Sequence, residues 1–448
     1  MNKVFLSVCN LVVFLTINAQ DDVRKWSLEE CISYAIEHNL EIRQLELQEQ
    51  NADIDVSSAQ MNRVPDMNTN VGQNWNFGRT QTESGLYESQ TLSNTNFGVS
   101  SLTPLFTGFR IPNQIAKSKL DLKAATQQLE RAKEDLALNI ASLFLQALFN
   151  KELLAINEEQ LTLTLAQVDR TKELVEVGKV PRSQLSDIKA QVANDEVAVI
   201  QAKNTLELSL LDLAQSLELE RSEGFDIQSP EIKDVITEYI SSMQPPDVIY
   251  SNAVAIKPAI KEQEFRLESQ QKSLKIAQSA YFPSLNLSLA YGNNYFHSYS
   301  LEEGGSNRTF SNQIKDNAGQ SIGLSFSIPI FNRFHVRNQV RSARLNIQSR
   351  QFALDNAKKS LYKDIRTAYL NAMASQEKYG SSEKAVLASQ ESFTYAQEKY
   401  EVGKISVFEF TEAKTRLLQS QSEQIQAKYN YIFRTKILDF YNGIPITL

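Results

Sequence analysis

The chain has 448 residues, a formal net charge of -7, 22% charged residues, and only 15 Gly, 11 Pro, 3 His and 2 Cys. The acidic balance excludes a general nucleic-acid partner, because phosphate binding needs a basic surface. So few Gly and Pro, against abundant Gln, Leu, Ala and Ser, point to long helices rather than a compact mixed fold.

Lys3 precedes an apolar run from Val4 to Ile17, followed by Ala19 and the acidic pair Asp21 and Asp22. This pattern reads as a secretory signal peptide over residues 1–19, and the run is shorter than the ~20 apolar residues of a spanning helix. Cys9 lies inside the run and Cys31 well beyond the expected cut, so no cysteine is placed for lipid attachment. Cys31 would be alone in the mature chain, with no intrachain disulfide partner, and reads as a small packing residue near the first helix.

The remainder is written twice. An offset of 225 superimposes Gly98 on Gly323, Pro104 on Pro329, and Glu176-Val177-Gly178-Lys179 on Glu401-Val402-Gly403-Lys404. Earlier in the repeat the offset is 218, pairing Ile42 with Ile260 and Pro65 with Pro283. Three blocks in register define two copies of one unit, spanning 20–219 and 248–448, joined by a linker over 220–247 with a short helix near Ile232 to Ser241.

In the first copy, a helix is followed by alternation from about 66 to 79. Met67, Val71, Trp75 and Phe77 share one face, and Asn68, Asn70, Gly72, Asn74 and Asn76 the other. A less regular strand covers about 94–106, with Phe97, Val99 and Leu105 on one face, and the polar stretch Arg79 to Ser93 reads as a loop. From Phe109 to Val177 the residues Ile115, Leu122, Leu129, Leu136 and Leu143 recur every seven positions. A step of eleven then leads to Leu154, Leu161, Val168 and Val175. That is a coiled-coil seam with a stutter, about 100 Å long at 1.5 Å per residue. Gly178 suits a left-handed helix cap, and Pro181 and Ser183 open the return helix of an antiparallel hairpin whose tip covers 177–183.

The second copy repeats the plan. Strands are expected at about 284–296, with Leu285, Leu287, Leu289 and Tyr291 on one face, and at about 320–330, with Ile322, Leu324, Phe326, Ile328 and Ile330 on one face. The stretch His297 to Gly319 reads as a loop. A long helix with Val340, Ile347, Leu354, Leu361 and Ala368 at seven-residue spacing ends at Gly403, and Ser406 with Glu409 forms the S-x-x-E signature of a new helix. The second tip covers 402–406.

Four strands of roughly ten residues, each with an aliphatic or aromatic face opposite an Asn, Ser and Gly face, fit lipid on one side and water on the other. Four strands cannot close a barrel, and open edges in hydrocarbon leave backbone groups unpaired, so several copies would have to share one. The alternative is a soluble hairpin capping a coiled coil. Two repeats of helix, strand pair, long helix, Val-Gly turn and return helix resemble the TolC family of outer-membrane factors over essentially the whole mature chain.

The resemblance implies a mainly α fold with a transmembrane β-barrel. Three subunits would each give four strands to a shared twelve-stranded barrel, continued by antiparallel coiled-coil helices as a trimeric α-barrel in the periplasm. It implies a passive duct for efflux or type I secretion, coupled to a periplasmic adaptor (membrane fusion protein) and an inner-membrane pump of the RND, ABC or MFS type. The adaptor-contacting tips would be Val177, Gly178, Lys179, Val402, Gly403 and Lys404. The periplasmic entrance would be constricted by Glu409 and Glu412, and Tyr400 matches a tyrosine that helps hold the entrance closed. Its usual acidic partner is replaced by Gln184, with Asp187 one turn later. For each, a bland reading stands beside the functional one: Gly178 and Gly403 as helix terminators, Glu409 as a capping residue, Tyr400 as the last seam residue.

No catalytic constellation appears: His38, His297 and His335 are scattered, and no Gly-rich phosphate loop or zinc spacing is present. No enzyme activity, cofactor or metal is expected, and the scarcity of Met and His gives no sign of a metal-ion cargo. A soluble periplasmic coiled-coil adaptor is the competing reading, but it leaves four matched strands without a purpose. A simple diffusion porin leaves most of the helix unexplained.

Overall fold

A computed structural model describes residues 25–81, 85, 87–221, 223–230, 244–300 and 306–447; the expected signal peptide and linker helix lie outside them. In chain order the elements are β1 (Lys25–Trp26), α1 (Leu28–His38), α2 (Leu40–Met61), β2 (Asn68–Gln81), β3 (Tyr87–Phe106), α3 (Arg110–Glu176), α4 (Arg182–Ser216) and β4 (Asp226–Ile227). Then follow α5 (Pro246–Ile256), α6 (Pro258–Ser279), β5 (Ser284–Ser298), α7 (Phe310–Asp316), β6 (Gly319–Ser327), α8 (His335–Glu401) and α9 (Val407–Tyr441).

The helix bounds carry the duplication. Adding 218 to the bounds of α1 and α2 returns those of α5 and α6, and adding 225 to those of α3 and α4 returns α8 and α9. Even strained backbone repeats: Gly108 and Phe109 have φ of 61° and 67°, and Arg333 and Phe334 have 54° and 62° at the same strand-to-helix turn. Only the first of these turns has glycine, so Arg333 and Phe334 hold a left-handed conformation that side chains disfavour.

The chain forms two compact units that cut across the repeats. One combines residues up to Leu40 with Glu134–Ile249 and Ile365–Leu448; the other is Glu41–Lys133 with Tyr250–Asp364. In the first unit, Ser27 and Glu30 cap α1 reciprocally, and α1 presents Leu28, Cys31 and Ala35 to Ile140, Phe144 and Leu148 of α3. Leu213, Leu217, Ile227, Tyr429 and Ile432 complete this core. Trp26 pairs in parallel with Ile227, bringing β1 and β4 together at its edge.

The second unit holds a four-stranded antiparallel sheet in the order β2-β3-β5-β6. Residues directly opposite share a face, so register sorts the side chains. Ile322 faces Leu289, Leu324 faces Leu287, and Phe326 faces Leu285; Val71 faces Phe97, and Val99 faces Tyr291. Trp75 and Phe77 follow Val71 on that face, and Ile322, Leu324, Val71 and Phe77 are 80, 69, 69 and 77% exposed. The opposite face carries Asn68, Asn70, Gly98, Ser288, Gly292, Gly323 and Ser325. Its glycines make room: a Cβ at Gly98 would lie 2.8 Å from the Asn70 side chain, and one at Gly323 would lie 2.7 Å from Ser288 Oγ. These are the same pair of positions in the two repeats.

Three strand expectations need correction. The stretch Arg79 to Ser93 is largely ladder, since β2 and β3 pair from Asn68↔Ser100 out to Gln81↔Tyr87. Its Ser, Thr and Gln residues lack apolar alternation yet pair as well as any others. A register shift between Pro104 and Phe106 puts Phe106 opposite Leu285, so Leu105 is an extra, bulged residue. The last strand stops at Ser327, before Pro329, which has no N–H to give a ladder, and the loop from His297 contains α7.

Candidate functional site

Both hairpin tips lie in the first unit. At each, a positive-φ glycine ends the long helix: φ is 72° at Gly178 and 73° at Gly403. Gly178 N donates to Val175 O and Lys179 N to Leu174 O, at 3.0 and 2.8 Å; Gly403 N donates to Tyr400 O and Lys404 N to Lys399 O, at 2.9 and 2.8 Å. This paired pattern satisfies two terminal carbonyls and requires the left-handed residue. The turns leave Lys179 and Lys404 exposed and Val177 and Val402 at 67 and 61% exposure. Phe408, which the sequence reading passed over, is 76% exposed beside them.

The return helices start differently. Before α4 the cap is Pro181 without a side-chain bond, whereas Ser406 and Glu409 form a full capping box on α9. Glu409 Oε2 accepts from Ser406 N at 3.0 Å, and Glu409 N donates to Ser406 Oγ at 3.3 Å. Glu409 is thus an exposed carboxylate pinned in one orientation. Glu412, one turn on, is also exposed and takes a 3.0 Å ion pair from Arg416. Solvent screens such an i,i+4 pair, so it is weak but neutralises part of the local charge.

Tyr400 is 1% exposed and its ring stacks on Phe410 at 4.8 Å. Its hydroxyl lies 2.7 Å from Thr171 Oγ1, which itself donates to Gln167 O at 2.7 Å, leaving Tyr400 to donate to Thr171. Burial raises the Tyr400 pKa above its ordinary value. Gln184 is half-buried and Asp187 exposed, so within one chain Thr171 is the tyrosine's partner.

The sequence reading also missed a polar seam. Near the tip, the buried positions of α3 are Gln160, Thr164, Gln167, Thr171 and Leu174, while Leu161, Val168 and Val175 are half-buried. Lys414 of α9, 2% exposed, reaches into this seam. Its Nζ donates to Asp195 Oδ2 of α4 at 2.5 Å, to Gln160 O at 3.3 Å and to Thr164 Oγ1. Asp195 also accepts from Gln191 at 2.8 Å. Desolvation lowers the Lys414 pKa, and the bond and charge of Asp195 oppose it. Three helices are therefore joined by one buried, well-partnered cation. A spacing of four hydroxyl and amide residues carries no apolar signal, so only geometry exposes it.

Among the described residues, no group of three or more His, Cys, Asp or Glu side chains could hold a metal ion, and no helix is long and apolar enough to cross a membrane. The segments 31–218 and 249–438 each match the family described as Outer membrane efflux protein. The chain belongs to that family. Its two matched segments begin 218 residues apart (249 minus 31), the offset that also relates α1 to α5.

Among curated relatives, the outer membrane protein TolC of Escherichia coli K12 is 24% identical over 308 residues, which is 67% of this chain and 59% of TolC. The chain's match thus spans under two thirds of that relative's length. The cation efflux system protein CusC of Escherichia coli O157:H7 is 22% identical over 89% of this chain and 82% of its own. Among solved structures, VceC from Vibrio cholerae superposes with a TM-score of 0.76 at 15% identity, covering 93% of this chain and 96% of that one. The CmeC outer membrane channel of Campylobacter jejuni gives 0.76 at 17% identity, covering 95% and 88%. These structures share the fold. As a member of the Outer membrane efflux protein family, the chain is an outer-membrane protein with its helical part in the periplasm, and the family is one of channels rather than enzymes. That sets aside the soluble adaptor and the simple porin.

Proposed function

We propose that three copies of this chain form a passive channel across the outer membrane, serving a periplasmic adaptor and an inner-membrane pump in efflux or type I secretion. The observation that carries this is the open sheet: among the described residues β2 and β6 each pair on one side only, and the sheet's apolar face is exposed. Backbone groups cannot stay unpaired in hydrocarbon, so β6 of one copy joined to β2 of the next closes the barrel. The periplasmic helices fit the same assembly. Leu47, Ile54 and Met61 of α2 form a seven-residue stripe, 60, 60 and 57% exposed, whose counterparts in α6 are Phe265, Lys272 and Ser279.

The exposed tips, with Val177, Gly178, Lys179, Val402, Gly403, Lys404 and Phe408, form the adaptor surface. Glu409 and Glu412 from three subunits form an acidic constriction that favours cations, with Tyr400 bracing the closed entrance through Thr171. Purified protein in a planar bilayer tests this reading. Wild type conducts with cation preference, Glu409→Gln with Glu412→Gln reduces that preference, and Arg416→Gln raises it by releasing Glu412. A conductance whose selectivity ignores all three changes removes the constriction assignment, and absence of any conductance removes the channel.

A further inference from the structure

In the second unit, a cavity of about 460 Å³ is lined by Gln278 at the end of α6, by Tyr281 and Phe282 just past it, and by Arg337, Arg341 and Arg344 of α8. The arginines fall at i, i+4 and i+7, so one helix face presents three guanidinium groups to one space. All three are exposed, and none has an acidic partner among the described residues. Like charges at this spacing repel each other. The equivalent positions of the first repeat, 225 earlier, are Pro112, Ala116 and Lys119, on a helix of the same bounds.

The position of the cavity identifies the ligand. Phe282, in the cavity wall, lies edge-on to Phe109, which lies edge-on to Phe106 at the end of β3. Phe331 lies edge-on to Phe334, over which Arg337 sits at 4.3 Å. Phe109, Phe282, Phe331 and Phe334 are all exposed, at 58, 50, 71 and 53%, as a belt where strands meet helices. Aromatic girdles mark the membrane interface of barrels, and Phe282 puts the cavity beside this belt. Guanidinium groups bind phosphate oxygens bidentately, and basic pockets at membrane interfaces take anionic headgroups.

We propose that this cavity binds the phosphodiester of an anionic phospholipid in the periplasm-facing leaflet, held by Arg337, Arg341 and Arg344 with Tyr281 and Phe282 against the glycerol and upper acyl chain. The inference rests on the outer-membrane placement of the sheet. Native mass spectrometry of the full detergent-extracted protein, with phosphatidylglycerol as probe and phosphatidylcholine as control, tests it. Wild type retains phosphatidylglycerol preferentially. Replacing the three residues (R337Q, R341Q, R344Q) lowers retention by about tenfold or more without changing the assembly mass, and the corresponding lysine set keeps most of it. If the triple glutamine protein does not assemble, Arg341→Gln alone supplies the readout. Equal retention of both lipids, unchanged retention in the glutamine variant, or displacement by inorganic phosphate would overturn the proposal. A protein that is recovered without detergent instead defeats the membrane reading itself.

Discussion

Replacing Lys414 with methionine removes the cation that joins α3, α4 and α9 near the tip. The side chain is 3% exposed and that of Asp195 13%, so the pair is shielded from water. Breaking one half of a buried pair costs roughly 3–5 kcal/mol because the other charge is left unpaired. Asp195 keeps the bond from Gln191 and its contact with Thr164, which places the cost near the lower bound. About 3 kcal/mol corresponds to roughly a hundredfold greater local opening. Hydrogen exchange of the amides from Val407 to Leu417 reads this directly. The double variant Lys414→Met with Asp195→Leu, which removes both charges, recovers most of the protection. Because the folded pKa of Lys414 lies below 10.5, the folded state binds fewer protons than the unfolded one between those values. Its own contribution therefore makes stability rise with pH across that window, and Lys414→Met abolishes that rise. Unchanged exchange in the single variant, or equal loss in the double, would refute the account of the seam.

Cys31 is fully buried, and burial, followed by the charges of Glu30 and Glu29, pushes its thiol from 9.0 to about 12. Three pH units lower the thiolate fraction by about a thousandfold, so alkylation at pH 8 proceeds only through unfolding; rapid labelling of native protein would contradict the core described for α1. Tyr400→Phe removes one hydrogen bond worth about 1 kcal/mol and leaves Thr171 donating to Gln167, so open probability in single-channel recordings rises by about fivefold. Unaltered gating would show that Tyr400 is only a packing residue.

Much of the fold was legible because it is periodic. Seven-residue spacing marks the long helices, alternation marks the lipid-facing strands, and two glycines in Glu-Val-Gly-Lys mark the tips. What escaped has a common physical cause. The outer half of the β2 and β3 hairpin and the Gln160, Thr164, Gln167 and Thr171 seam are ordered by hydrogen bonds, which hydrophobicity does not register. The bulge at Leu105 shifts one face by one residue, which a strict period of two cannot express. At the candidate site, the glycines and the Ser406 and Glu409 cap were readable as local chemistry. The link from Tyr400 to Thr171 joins residues 229 apart, and only tertiary packing reveals it.

The shared barrel is tested most directly by the mass of the protein extracted with mild detergent from an outer-membrane fraction, measured by light scattering with the detergent contribution subtracted. A shared barrel gives about three chain masses, with β2 and β6 joined between copies. A monomer or dimer recovered without detergent would contradict it.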